Sequence, residues 1–227
     1  MSWRAWLAAV AALSTCILSA PASCQTPFEQ QVLAALNFAR TNPAIYARTL
    51  LTFRSYFHAA TYTLPGSDED VQTEEGVGVV DEAIRFLARQ APLPPVAAAA
   101  VLDRSAAMLA TEQGGSGRVG HATADGSLPG DRARRAGGGD YVAEVIAYGL
   151  ADAADAVRQL IVDDGVRDRG HRSVLFSPDL RFAGVSCGPH RNFRAMCVVD
   201  LATTADGRFG RTMRMARVEL PKDRWRD

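Results

Sequence analysis

The chain lacks most of the short patterns that announce a chemistry. Its 227 residues hold no Gly-x-Ser-x-Gly elbow, no His-Glu-x-x-His, no Cys-x-x-Cys and no glycine-rich phosphate loop after a strand. Those absences set aside the usual serine-hydrolase, zincin, thiol-redox and nucleotide-binding readings. Charge of one sign is also missing: Lys+Arg and Asp+Glu are both 25, for a formal net charge of +0, so no general basicity draws the chain to nucleic acid. The closing stretch "GRFGRTMRMARVELPKDRWRD" is locally basic, and a solvated surface accounts for it. Beyond the N-terminus no apolar run reaches the roughly 20 residues that span a bilayer. There is no internal repeat. What remains is 48% apolar and 22% charged residues, the balance of one globular domain with a core.

The N-terminus differs from the rest. "MSWRAWLAAVAALSTCILSAPASC" has an early arginine, an apolar stretch from Trp6 to Leu18, and small residues after it. This is the form of a secretory signal peptide over 1–24, and it predicts a secreted, extracellular or periplasmic protein. Cys24 as a lipid anchor is the lesser reading, because Pro21 stands where a bulky aliphatic is expected. Of the four cysteines, Cys187 and Cys197 remain clear of this segment. They flank a polar turn near Asn192 in "AGVSCGPHRNFRAMCVVD", and a hairpin there sets them opposite each other, within reach of a disulfide. A zinc pair would need more ligands, and only His190 is local.

Helical spacing fills much of the chain. "PFEQQVLAALNFARTNPAIYARTLLTFRSYF" reads as two tandem helices broken at Asn42-Pro43. "HAATYTLPGSDEDVQTEEGVG" is turn-rich and reads as a surface excursion. "VVDEAIRFLARQ" is an amphipathic helix ended by "APLPP", and "VAAAAVLDRSAAMLATEQ" is an alanine-rich helix stopped by "GGSG". "RVGHATADGSLPGDRARRAGGGD" reads as loop. "YVAEVIAYG" is a strand with Val142, Glu144, Ile146 and Tyr148 on one face. "ADAADAVRQLIVDD" is a helix, "GHRSVLF" a short helix or turn, and "LRFAGVSC" with "RAMCVVDLAT" a closing hairpin. Helices around a few mostly C-terminal strands predict an α+β domain, helices packed on a small antiparallel sheet.

Two histidines, His121 and His171, follow glycines just before turn or helix signals. Glu144 interrupts an apolar strand, and an ionised acid facing a core is costly unless paired. Histidine is its natural partner: the acid accepts an imidazole N–H, and the imidazole is then poised to bind a metal or move a proton. Asp163 and Asp164 end a helix, where the dipole disfavours acids, so another force holds them there. Each residue also has a plainer reading: His171 as a helix start, Glu144 at a strand edge facing solvent, the acids as a solvated helix end. Ser173 reads as a surface or capping residue rather than a nucleophile. The arginines of "VRDRGHR" read as solvated loop residues.

Taken in order, these segments resemble the CAP superfamily of cysteine-rich secretory, antigen 5 and pathogenesis-related group one proteins, with its bacterial SCP-type members. "VLAALNFARTNPAIYA" looks like the family's first helix, with Asn37, Arg40 and Pro43 in place. "PLPPVAAAAVLDRSAAMLATEQ" and "GHATADG" look like its second helix and first-histidine loop, and "AEVIAYG" like the strand carrying its first glutamate. "AVRQLIVDD" resembles A-V-x-x-W-x-x-E, with Leu160 for the tryptophan and Asp163 for the glutamate. "RGHRSVLF" and "FAGVSCG…MCVVDLA" resemble the second-histidine motif and the closing hairpin. Val145 stands where the family usually has asparagine, and 56–79 is an insertion relative to compact members.

The resemblance implies a three-layer α-β-α sandwich over 25–205, followed by a basic extension at 206–227. It also implies a cleft gathering His121, Glu144, Asp163 and His171, able to hold a divalent metal such as zinc, in a binding or interaction protein rather than an established enzyme. Asp163 is one methylene shorter than glutamate, and Asp164 is the alternative for its place. A small apolar ligand, a lipid or sterol, is a second expectation, with the 56–79 insertion helping to shape a groove. A secreted hydrolase using metal-activated water or His/acid base chemistry is a third.

Overall fold

The computed structural model describes residues 25–209. Residues 1–24, read above as a signal peptide and including Cys24, and residues 210–227 of the expected basic extension lie outside the described residues.

Helix α1 (Pro27–Thr41) opens on a capping box: Thr26 accepts from the Glu29 amide while Glu29 Oε2 accepts from the Thr26 amide at 2.6 Å. Asn42 closes it, and Pro43 begins α2 (Pro43–Arg54), the tandem pair expected from the sequence. The excursion that follows is more regular than its turn-rich composition suggests. Strands β1 (Phe57–His58), β2 (Thr61–Thr63) and β3 (Asp70–Gln72) form a small antiparallel sheet of their own, and α3 (Val77–Arg89) starts before the segment ends.

The alanine-rich helix also starts later than its composition suggests. Ala97–Ala98 is strand β4, because the Ala97 and Ala99 amides donate to the Arg181 and Ala183 carbonyls; only then does α4 (Ala100–Ser116) begin. In the stretch read as loop, a helix α5 (Pro129–Arg135) forms: Pro129 occupies the first turn and Asp131 accepts from the Leu128 amide at 3.0 Å. The later elements are β5 (Ala143–Tyr148), α6 (Ala153–Val162), α7 (Gly170–Leu175), β6 (Phe182–His190) and β7 (Arg194–Ala202).

The main sheet runs β4-β6-β7-β5, antiparallel except for the short parallel β4–β6 pair. Alternation along β5 divides the core. Val145 and Ala147 face a large apolar cluster with α1, α2, α3 and α6, while Ile146 joins Met196 and Val198 against α4. A third cluster sets Leu102, Ala133 and Ala202 together under α5. The result is an α-β-α sandwich, as expected. Cys187 and Cys197 are cross-strand partners, Cα atoms 4.1 Å apart, and are joined by the disulfide. His190, at the hairpin turn, is structural: its Nε2 donates to the Arg118 carbonyl at 2.9 Å.

Arg40 links the helical layer to the end of the fold where α7 sits. Fully buried, and with no carboxylate partner among the described residues, its guanidinium donates to the carbonyls of Pro94, Leu175, Ser177 and Leu180. It thereby ties the proline stretch before β4 to both sides of the turn that ends α7. Asn37 completes the tie by a reciprocal pair with Val96, at 2.9 and 2.8 Å.

Candidate functional site

The four residues expected to form a cleft make two histidine–carboxylate pairs. His121 Nδ1 lies 2.9 Å from Glu144 Oε1, and His171 Nδ1 lies 2.7 Å from Asp163 Oδ1. Both carboxylates are fully buried, whereas the imidazoles keep 22% and 27% of their side-chain surface. Each histidine is thus oriented through Nδ1 by an acid behind it, which turns Nε2 the other way.

Asp163 can do this with a short side chain because of its backbone. It caps the C-terminus of α6 in the left-handed region (φ 62), a conformation that aspartate tolerates better than most residues. The turned backbone brings its carboxylate onto α7, where Oδ2 accepts from the Arg172 amide at 3.0 Å while Oδ1 holds His171. An acid misplaced for the α6 dipole is therefore well placed for the first turn of α7. Asp164 points elsewhere. Its oxygens accept from the Glu74 and Glu75 amides at 2.8 and 2.9 Å, fastening the excursion to this loop.

Arg167 is exposed, as expected of a solvated loop residue, but the other two arginines of the stretch, Arg169 and Arg172, are not solvated. Arg169 forks onto Glu75 and Glu82 and donates to the Asp163 and Val166 carbonyls. Arg172, buried, donates to the last carbonyls of α6, Ile161 and Val162, and to Glu82. These bonds serve the orphan carbonyls at the helix end, with a cation placed favourably for its dipole. Ser173 is exposed, as expected of a surface residue, and its Oγ donates back to the Arg169 carbonyl four residues earlier at 2.8 Å rather than capping the helix.

The Glu144 pair sits in a larger buried set. Arg132 of α5, with no exposed surface, makes an ion pair with Glu144 Oε2 and also donates to the carbonyls of His121 and Ser127 at 2.8 and 2.9 Å. One guanidinium thus fixes both the acid and the loop carrying its histidine. Tyr148, two pleats along β5 from Glu144, accepts from the Gly120 amide at 3.1 Å and donates to Gln113, which in turn holds the Gly120 carbonyl. Asp200 lies directly across from Glu144 on β7 and is fully buried. As two carboxylates neither could donate to the other, and the Asp200 oxygens would have no partner. One proton between them converts the contact to a hydrogen bond.

Burial raises both acids, Glu144 to about 7 against the pull of Arg132, and Asp200 well above the usual carboxylate range. Glu144 has Arg132 and His121 at its oxygens, so it carries the charge and Asp200 the proton. Burial, with the charges of His171 and Arg132, lowers His121 to about 4, so this imidazole is neutral at physiological pH. Arg132 and Asp200 were not singled out from sequence: one lay in a segment read as loop, the other inside an apolar strand. An acid interrupting "MCVVDLA", opposite another interrupting "AEVIAY", was the available signal.

A cavity of about 1020 Å³ opens beside the second pair. Asp163, Asp164 and His171 line it, with Ile146 and Tyr148 of β5; His121 and Glu144 do not. Its other wall is the excursion, through Phe57, Tyr62 and Leu64, with Phe53 of α2 behind. Toward a metal, each carboxylate-backed imidazole offers Nε2 as a donor. The acids do not stand as further ligands: among the described residues no group of three or more His, Cys, Asp and Glu side chains is arranged to hold an ion.

An α-β-α sandwich with paired His/acid groups defines a class. The sequence profile of the cysteine-rich secretory protein family, CAP, matches residues 34–201, and the chain belongs to that family. Comparison with curated proteins finds no match. Among solved structures, an outer surface protein from Borrelia burgdorferi is similar at 17% identity with a TM-score of 0.40, covering 48% of this chain and 77% of that one. An extracellular protein containing an SCP domain from Bacillus anthracis str. Ames also has 17% identity and a TM-score of 0.40, covering 55% of this chain and 37% of that one. Among the described residues no helix is long and apolar enough to cross a membrane.

Proposed function

We propose that this chain is an exported CAP binding module whose paired histidines, His121 and His171, take a divalent metal such as zinc together with donor atoms from water or a bound ligand. The observation that carries the reading is that each of the two imidazoles is anchored at Nδ1 by a buried carboxylate, which leaves its Nε2 as the donor. A carboxylate behind an imidazole fixes its tautomer and raises its basicity toward a metal. The neutral state of His121 removes proton competition above about pH 4. Export is supported by the signal-like segment 1–24, by the Cys187–Cys197 disulfide and by the family. Calorimetric titration of tag-free protein with zinc tests the site. Binding in the wild type and its loss in a folded His121→Ala/His171→Ala variant is the expected result; equal affinity in the two would exclude it.

A second reading is favoured by a separate observation. The cavity of about 1020 Å³, with its aromatic wall, is large enough for a small apolar molecule or lipid chain. Ligand extraction from secreted protein followed by mass spectrometry tests it, with recovery of a stoichiometric apolar compound expected.

A further inference from the structure

The charges lining the cavity are unevenly neutralised, and this bears on what the cavity can hold. Both arginines in the lining are already taken. Arg158 lies 4.1 Å over the Phe53 ring and donates to buried Asp155 at 2.7 Å. Arg194, at the hairpin end of β7, reaches across to Glu69 at the tip of the excursion at 2.9 Å. Asp163 faces His171. Two lining carboxylates are left, Asp68 and Asp164, and neither enters an ion pair among the described residues. Asp164 receives only the neutral amides of Glu74 and Glu75.

A ligand carboxylate or phosphate would therefore meet no uncommitted guanidinium among the described lining residues and two uncompensated acids, an arrangement that disfavours anions. A cation would meet the reverse. It would also meet Phe57 and Tyr62, whose ring faces attract positive charge as well as apolar groups. We propose that the cavity binds an amphiphilic cation, with an apolar chain against Phe57, Tyr62 and Leu64 and an ammonium-type group directed to Asp68 and Asp164. The excursion supplies both halves of this recognition, the aromatic wall and one of the acids, which gives the 56–79 segment a binding role. The inference rests on the second reading above, that the cavity holds a ligand.

The test is calorimetric titration of the mature protein, in low salt and below the micellar threshold, with dodecyltrimethylammonium, dodecyl sulfate and neutral dodecyl maltoside. One trimethylammonium ion per chain should bind about tenfold more tightly than sulfate, the size expected of two solvent-facing charge contacts, and salt should shrink the difference. In Asp68→Asn/Asp164→Asn the preference should fall to within about twofold, on the same account of those contacts. Phe57→Ala, or Leu64→Ala should the first not fold, should weaken the cationic and neutral probes alike. Failure of all three probes to bind overturns the cavity reading and the inference together. Binding without preference for the cation, or a preference that survives in the double asparagine variant, leaves the cavity as a site and overturns the inference alone.

Discussion

Replacing Arg132 by methionine is the sharpest test of how the first histidine pair is held. Methionine keeps much of the side-chain volume but removes the cation. Glu144, whose side chain has no exposed surface, loses its ion-pair partner, and the carbonyls of His121 and Ser127 lose a donor. Removing one partner of a buried pair costs about 3–5 kcal/mol, since the remaining charge is uncompensated. For a chain of this size each kcal/mol lowers the midpoint by roughly 2–4 °C, so a fall of about 6–20 °C is expected in a calorimetric scan at pH 7.5. Two controls identify the cause. Adding Glu144→Gln to Arg132→Met should recover part of the loss, because the orphaned charge is gone. Lowering the pH to 5 should narrow the gap to wild type, because Glu144 then takes up a proton in place of its lost cation. A midpoint within about 3 °C of wild type, or a double variant weakened by the sum of the single effects, would refute the buried-pair account.

Other outcomes follow from the same contacts. Burial raises Glu144 to about 7 and Asp200 well above its usual range, so the folded state holds a proton that the unfolded state releases. Such groups stabilise fully below the unfolded carboxylate range, and the contribution is lost as pH rises through the folded-state values. Asp200→Asn should therefore gain on wild type between pH 5 and pH 8 in paired melting scans; a constant difference would show that no proton is shared. Asp164→Ala removes the acceptor for two backbone amides and should cost about 1–2 kcal/mol. It should speed proteolysis within 57–76 and leave the His171–Asp163 pair intact by imidazole NMR; unchanged proteolysis would mean that the excursion is held elsewhere. Cys187→Ala/Cys197→Ala opens a loop with a sequence separation of 10. It should cost about 3 kcal/mol in urea unfolding, the chain-entropy value for so short a loop. A shift below about 1 kcal/mol would place the hairpin's stability in its buried β7 face instead.

The elements that carry strong periodicity were legible in the sequence. The Asn42-Pro43 break, the β5 alternation and the cross-strand cysteines each follow from rules acting within a few residues. Where tertiary pairing decides, composition misled. Ala97–Ala98 has the helix propensity of its neighbours, yet two hydrogen bonds to β6 and the proline pair ahead of it hold it extended. The excursion is polar and turn-rich, yet three very short strands find one another there and Tyr62 is buried beneath them. Helix α5 is a single short piece among glycines, and its first turn is specified by one proline and one aspartate.

The site was legible in its histidines and acids but not in what governs them. Asp163 and Asp164 are chemically identical neighbours, and nothing local tells which turns inward. The choice is made by α7, whose amide at Arg172 and imidazole at His171 both offer N–H groups to Asp163, and by the excursion, whose amides at Glu74 and Glu75 take Asp164. The two acids thus serve different parts of one loop: the first sets a histidine, the second anchors the wall of the cavity beside it. That division places the 56–79 insertion in the site, because the strands bearing Phe57 and Tyr62 are fastened one residue from the acid that orients His171. A change in how the excursion packs would reach His171 through that peptide step and through Glu75, which pairs with Arg169 at the start of α7.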